Sequence, residues 1–454
     1  MTEVGNAAGK RVRAHLLTIG DELLAGDVID RNKAWMGRRC RALGVEVVRA
    51  STVRDRVEEI VAAMREAAEQ AELCLVSGGL GPTTDDLTAE SAAAAAGVGL
   101  VRHQALADRL EAFFGARGRE LVETNLKQAD LPEGAVVLDN PIGTAAGFAV
   151  ELRGCWLFSM PGVPRELHQM MREQVEPRVR ERFAQLVAVP RRVYRAIGSG
   201  ESSVQQNVKG VLAEARERSP GLASMFVHYR ARYPEVQLIL EATPGPDDAG
   251  ANAVELASLD EPLRAAIGPA LYSVSLGEDD EGDEHSLAKL LVAKLIERGL
   301  SLATAESCTG GGIGAAVTAI AGSSACFVGG VIAYANAVKI AQLGVAAELL
   351  ATHGAVSEPV ARAMAEGART RLGADIAVST TGVAGPGGGS PDKPVGTVDV
   401  AVATAAGTSY KRLLLFGKRD TIRYAATLLA LKLVLDTLLD TLSNPDNVAP
   451  PTSG

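Results

Sequence analysis

The chain is short of aromatics, which make up 4% of its 454 residues, with two tryptophans. Its cores are therefore expected to rest mainly on Ala, Val and Leu. Cysteine is also scarce. Cys40, Cys74, Cys155, Cys308 and Cys326 are odd in number, scattered and never in a CxxC pair. That excludes a disulfide framework and a zinc cluster, and predicts a reducing, cytoplasmic setting. No apolar run is long enough to span a bilayer. The nearest approach, TLLALKLVLDTLLDTL (427–442), carries Lys432, Asp436 and Asp440 at helical spacing and reads as an amphipathic helix. The opening MTEVGNAAGKRVR lacks the apolar core of a secretion signal. A basic excess is missing too. The net charge is −9, whereas phosphate neutralisation supplies most nucleic-acid affinity. Nucleic acid is thus not an expected partner, although small anions need only a local site.

What is present is the balance of a globular protein of two to four domains, with 47% hydrophobic and 22% charged residues. Up to about residue 184 strand and helix signals alternate, implying βαβ units and a mostly parallel sheet with helices on both faces. Strands are expected at 14–20, 45–53 and 73–79, and helices at 31–44, 56–71 and 85–97. A hairpin over 146–162 and a long helix from Val163 to about Ala184 follow. Residues 190–272 read as a small α+β module. The acidic run SLGEDDEGDEHS marks a solvated linker at 273–286, and α/β alternation resumes over 287–442. The tail SNPDNVAPPTSG is expected to be disordered.

In a parallel α/β sheet, ligands bind outside the carboxyl ends of the strands. The first strand runs into Gly20-Asp21-Glu22, and the strand at 73–77 runs into SGGLGPTTDD. Gly78, Gly79 and Gly81 allow close approach of backbone to phosphate, and Thr83 and Thr84 offer hydroxyls. Asp21, Glu22, Asp85 and Asp86 would repel a phosphate, so the pattern predicts a divalent cation, most simply Mg²⁺, between them. The alternative is that Asp85 and Asp86 only cap a helix.

In the last part, ATAESCTGG (303–311) sets Ser307 beside Cys308. Strand alternation is expected to point them to opposite faces, so one of the two reaches a site. A lone cysteine among apolar residues is usually core, and Ser307 could be a helix-start residue or a nucleophile. A nucleophilic serine needs a base. His353 is the only histidine in this part, which leaves a desolvated lysine such as Lys339. It follows a strand ending in Tyr334, a potential proton relay. The loop Gly382–Gly396, with five glycines before Ser390 and then Lys393, could wrap a phosphate.

GDELLAGDVIDRN, SGGLGPTTDDLTAE, NLKQADLP and PGVPREL resemble the N-terminal domain of the CinA (competence-damage-inducible) family. One departure is Ala146 in GTAAG, where the family usually has proline. The resemblance implies a three-layer α/β domain over 12–185, similar to molybdopterin-binding proteins. Its implied activity is metal-dependent hydrolysis of ADP-ribose to AMP and ribose 5-phosphate, with Asn125 among the binding residues. The middle module resembles the family's KH-like domain. It has GSGES where an RNA-binding KH domain has a GxxG loop, so a spacer role is expected.

TAESCTGG, GGVIAYANAVK, HGAVSE, TGVAGPGGGSPDKPVGTV and FGKRDTIR resemble the CinA C-terminal domain, similar to nicotinamide mononucleotide (NMN) amidohydrolases. That implies Ser307 as nucleophile, activated by Lys339 and Tyr334, with Arg419 near the phosphate or the proton relay. Thr309, Gly310, Gly311, Asn336, Gly385, Gly387, Gly388 and Lys393 are implied as substrate contacts, with no cofactor. Where the family usually reads YSNEAK, Ala335 and Ala337 here remove two polar groups. The expectation is a homodimeric, bifunctional hydrolase of pyridine nucleotides. A pterin-nucleotide adenylyl or hydrolase site in the first domain, or a competence-related scaffold without catalysis, are the alternatives.

Overall fold

The computed structural model describes residues 11–242, 249–276 and 286–443. Two compact units emerge. One is built from the chain up to Pro190 together with Ala242–Ala253, the other from Arg191–Glu241 and Val254 onward.

The first unit is formed around a six-stranded sheet in the order Glu46–Val53, Arg13–Ile19, Leu73–Ser77, Cys155–Met160, Gly147–Leu152, Val136–Leu138. The first four strands run parallel and the last two antiparallel. LCLVS at 73–77 is buried throughout, as a strand covered on both faces must be. Successive side chains alternate between two cores. Leu17 packs with Ile60, Met64 and Leu106, and Leu16 with Trp35, Met36 and Leu167. This is the expected three-layer α/β arrangement. Gly20 N–H donates to Val53 O at 3.1 Å and Gly78 N–H to Met160 O at 3.1 Å. The strand ends are thereby gathered along one edge.

Two expectations need correction. The helix read from Asp85 begins at Thr88, with Leu87 as N-cap, so Asp85 and Asp86 lie in the preceding loop and cap no helix. The helix read from Val163 to Ala184 is Pro164–Met170, a π-helical turn over Met171–Val175, and Glu176–Arg182. Pro177 has no N–H to donate back to the preceding turn, and wider i→i+5 bonding accommodates the gap.

The second unit holds two sheets. Phe226–Arg232, Glu235–Glu241, Arg191–Ile197 and Leu271–Leu276 form an antiparallel sheet in that order. Helices Glu201–Arg218 and Asp260–Ile267 pack on one face. Residues 273–276, read as the start of the linker, are thus part of a strand. The acidic residues 277–285 and the tail from 444 lie outside the described residues. The other sheet runs Phe327–Ile332, Leu302–Glu306, Ile376–Gly382, Thr397–Thr404, Gly407–Leu414. Its first three strands are parallel and the rest antiparallel. Leu287–Glu297, Gly312–Thr318 and Arg419–Ser443 cover one face, and Asn336–Leu343, Ala347–His353 and Glu358–Leu372 the other. Among the described residues no helix is long and apolar enough to cross a membrane.

Candidate active sites

The strand Leu302–Glu306 is fully buried and stops one residue before Ser307. Ser307 N–H still donates to Thr380 O at 2.9 Å, so the serine is fixed to the end of the neighbouring strand. Glu306 is 1% exposed. Its carboxylate accepts from Ile313 N–H at 3.0 Å and Gly314 N–H at 2.8 Å, satisfying two donors of the next helix that would otherwise be orphaned. That carboxylate pins strand to helix across the Ser307–Gly311 loop. Sequence reasoning passed over it, since one acid in an apolar strand gives no sign of what it will bond. Gly310 and Gly311 turn the loop in the left-handed region (φ 61° and 93°). At Gly312 a Cβ would lie 2.7 Å from Thr427 Oγ1.

Lys339 lies 32 residues on, in the helix Asn336–Leu343, and is 1% exposed. Its Nζ sits 3.1 Å from Ser307 Oγ, 2.7 Å from Ala333 O and 3.2 Å from Tyr334 O. Burial pushes its pKa below the ordinary 10.5, because a desolvated ammonium is disfavoured. In the neutral amine, two N–H groups satisfy the two carbonyls and the lone pair is left for the serine hydroxyl proton. This geometry suits a serine–lysine nucleophile pair.

Cys308 departs from this pair. It sits in the hydrophobic core with Ile313, Val317 and Ile422, and burial pushes its thiol up to about 12. The two residues do not lie on the strand, so loop geometry rather than strand alternation separates them. Thr309 Oγ1 and Thr380 Oγ1 are 2.7 Å apart in the interior. Arg419 donates to Gly385 O at 2.7 Å and to the exposed Tyr334 hydroxyl at 3.2 Å. Arg423, absent from the sequence expectation, donates to Thr309 O at 2.9 Å. Asn336, Gly387 and Gly388 are exposed. Lys393 Nζ donates to His353 O at 2.9 Å.

In the first unit a cavity of about 800 Å³ opens at the strand ends. Glu22, Gly78, Gly79, Gly81, Asp85 and Asp86 line it, as expected, whereas Asp21, Thr83, Thr84 and Asn125 lie outside its lining. Asp21 faces Arg54 at 3.9 Å, and Asn125 belongs to the short helix Glu123–Leu126. Asp86 accepts from Thr83 N–H at 2.8 Å and Thr83 Oγ1 at 2.7 Å. At Gly81 a Cβ would stand 2.4 Å from its carboxylate. Acid and glycine therefore shape one tight loop.

Sequence reading missed Asp55 and Glu166 in the lining. Desolvation raises the pKa of Asp55, and the like charges of Glu22, Asp21 and Asp85 push the same way. Glu166 is held by Asn140 Nδ2 at 2.7 Å, and Asn140 also donates to Ala145 O at 2.8 Å. Asn32 and Gln128 line the cavity as well. Among the described residues Asn32 Oδ1 and Gln128 Oε1 have no hydrogen-bond partner.

The donor set for a cation is all hard oxygen, which suits Mg²⁺. Among the described residues, however, no three His, Cys, Asp or Glu side chains form a ligand group. The residues fit an ion held by one or two carboxylates together with substrate phosphates, not a preformed protein cage.

Residues 284–438 match the CinA C-terminal domain, and residues 15–181 a probable molybdopterin binding domain. A CinA-like protein of Shewanella piezotolerans is 40% identical over 94% of this chain and 96% of its own length. The chain belongs to the CinA family. Another CinA-like protein, from Gemmatimonas aurantiaca, is 43% identical over 92% of this chain and 94% of its own length. The solved competence/damage inducible protein of Agrobacterium tumefaciens is 44% identical, covers 35% of this chain and 96% of its own, and has a TM-score of 0.33. The two matched regions lie one in each of the two units that carry the candidate sites.

Proposed function

We propose that this CinA-family protein is a bifunctional hydrolase of pyridine-nucleotide fragments, deamidating NMN in its second unit and cleaving ADP-ribose in its first. The observation that carries the deamidase reading is the buried Lys339 Nζ 3.1 Å from Ser307 Oγ. Neutral Lys339 takes the hydroxyl proton as Ser307 Oγ attacks the carboxamide carbon. Collapse of the adduct breaks the C–N bond, and ammonia leaves after gaining a proton. Water then hydrolyses the ester, giving nicotinate mononucleotide and free Ser307. Arg419 donates into the Tyr334 oxygen, so the phenolic proton remains available to the leaving nitrogen. Release of ammonia from NMN by the purified protein, and its loss in Ser307→Ala but not in Cys308→Ala, is the test.

For the first unit, support comes from the acid-lined cavity beside the Gly78–Gly81 loop. One or two of Glu22, Asp55, Asp85 and Asp86, together with substrate phosphate oxygens, would hold a divalent cation, which would offset phosphate charge when bound. The amide oxygens of Asn32 and Gln128 suit hydroxyl or amino donors of a nucleotide. Hydrolysis of the pyrophosphate gives AMP and ribose 5-phosphate. Comparing turnover of ADP-ribose with that of an adenylated pterin separates this reading from the molybdopterin-type alternative.

A further inference from the structure

The antiparallel sheet of the second unit turns one face away from its own helices, and that face meets the helix Arg419–Ser443. Ile197 joins the core that contains Ala425, Ala426 and Leu431. At Gly198 a Cβ would lie 3.1 Å from Leu429 Cδ2, and Lys432 Nζ donates to Pro269 O at 2.7 Å. These contacts dock the body of the sheet along the helix. They do not explain what happens at its first turn.

There the turn linking Phe226–Arg232 to Glu235–Glu241 reaches residues flanking the two site arginines. The Tyr233 ring lies 4.0 Å from that of Phe416, tilted by 39°. The Arg232 guanidinium stands 5.6 Å from the Tyr424 ring centroid. Phe416 is three residues before Arg419, and Tyr424 directly follows Arg423. Arg419 bonds Gly385 O and the Tyr334 hydroxyl, and Arg423 bonds Thr309 O. Both tethers to the serine loop and the glycine-rich loop thus start from residues beside the turn.

We propose that the Arg232-Tyr233 turn is a positioning clamp, holding Arg419 and Arg423 at the loops they tether and so ordering the serine–lysine site. Neither turn residue touches the serine or the lysine. Phe416 is 67% exposed, an unusual fraction for an aromatic whose ring is in contact. The Tyr233 ring is its aromatic neighbour. Helix N-termini fray readily, and the 416–423 segment joins an edge strand to such an end. Without the turn, the arginines would keep their chemistry and lose their fixed origin. Misplacement of about 1 Å at tethering groups is enough to cost catalysis.

The consequence for catalysis rests on the deamidase reading above, whereas the contact itself does not. The test uses the full chain with NMN. Tyr233→Ala is expected to lower kcat/KM about tenfold with little change in thermal midpoint, and Tyr233→Phe, which keeps the ring, to stay near wild type. In an Arg419→Ala/Arg423→Ala background Tyr233→Ala should add nothing, because a clamp acting through the two arginines has nothing left to hold. A general loss of stability would instead multiply in both backgrounds. Hydrogen exchange gives the activity-independent arm: amides of 383–396 and 416–423 should exchange faster in Tyr233→Ala. Unchanged exchange, unchanged kcat/KM, or an equal loss in both backgrounds overturns the clamp. Wild-type protein that releases no ammonia overturns the deamidase reading, and exchange alone then decides the clamp.

Discussion

Lys339 is buried beside a serine and two backbone carbonyls, and among the described residues no carboxylate pairs with it. Its ammonium form is therefore costly to fold. Because burial lowers the folded pKa below 10.5, the unfolded chain holds more protons between the folded value and 10.5. Stability accordingly rises with pH through that window and carries the full penalty below it. Lys339→Met, of similar shape and uncharged, is expected to raise the thermal midpoint and abolish that slope. The same variant should lower NMN deamidation by roughly a thousandfold or more, since nucleophile and base act as one unit. Deamidation by the wild type should increase with pH and level off below the ordinary lysine value. A destabilised but active Lys339→Met would defeat the reading. Ser307 and Lys339 stood out as candidates in the sequence because His353 was the only histidine in that part of the chain, but it was the family resemblance that ranked them. Asp55 and Glu166 did not stand out, since each looks like an ordinary helix-start or loop residue until the strand ends bring them to one cavity.

At the scale of the element, the helix Asn336–Leu343 begins at Ala335, an N-cap with extended backbone and no side-chain hydrogen bond. The helix carries Lys339, so its first turn bears on where the amine sits. Ala335→Ser should supply an acceptor for the free N–H groups and raise stability by about 1 kcal/mol. Chemical denaturation with an unchanged slope would measure this. No gain would mean that the chain entering from Tyr334 prevents the cap. The regular strands and helices were readable from apolar periodicity. The short loop helices and the π-helical turn were not, because Thr83–Asp86 bonding and the missing Pro177 N–H are set by single residues rather than by a repeating pattern.

For the whole molecule, two units with separate cores and separate candidate sites should titrate their activities separately. Asp86→Asn loosens the Thr83 turn and removes a cavity charge. It should cut ADP-ribose cleavage at least about a hundredfold and leave NMN deamidation unchanged. EDTA should give the same split in the two assays. Equal loss of both activities in a folded variant would contradict independent sites. The α/β–α+β–α/β order of the chain was visible in the sequence. The merging of the middle sheet with the last part was not, since it depends on side-chain contacts such as Ile197 against the long helix that leave no periodic trace.

The five cysteines, scattered over both units, are all free and buried. Burial raises Cys40, Cys155 and Cys308 to about 12 and moves Cys74 and Cys326 upward as well. At neutral pH the folded chain therefore offers almost no thiolate to an alkylating reagent. Each sulfur reacts only when its surroundings open, so the five labelling rates are five local clocks for breathing of the native state. Cys40, Cys74 and Cys155 report the first unit, Cys308 and Cys326 the second. Mass spectrometry of a timed alkylation would read all five in one experiment, with no probe introduced. Ligand added to one unit should slow the clocks of that unit and leave the others running.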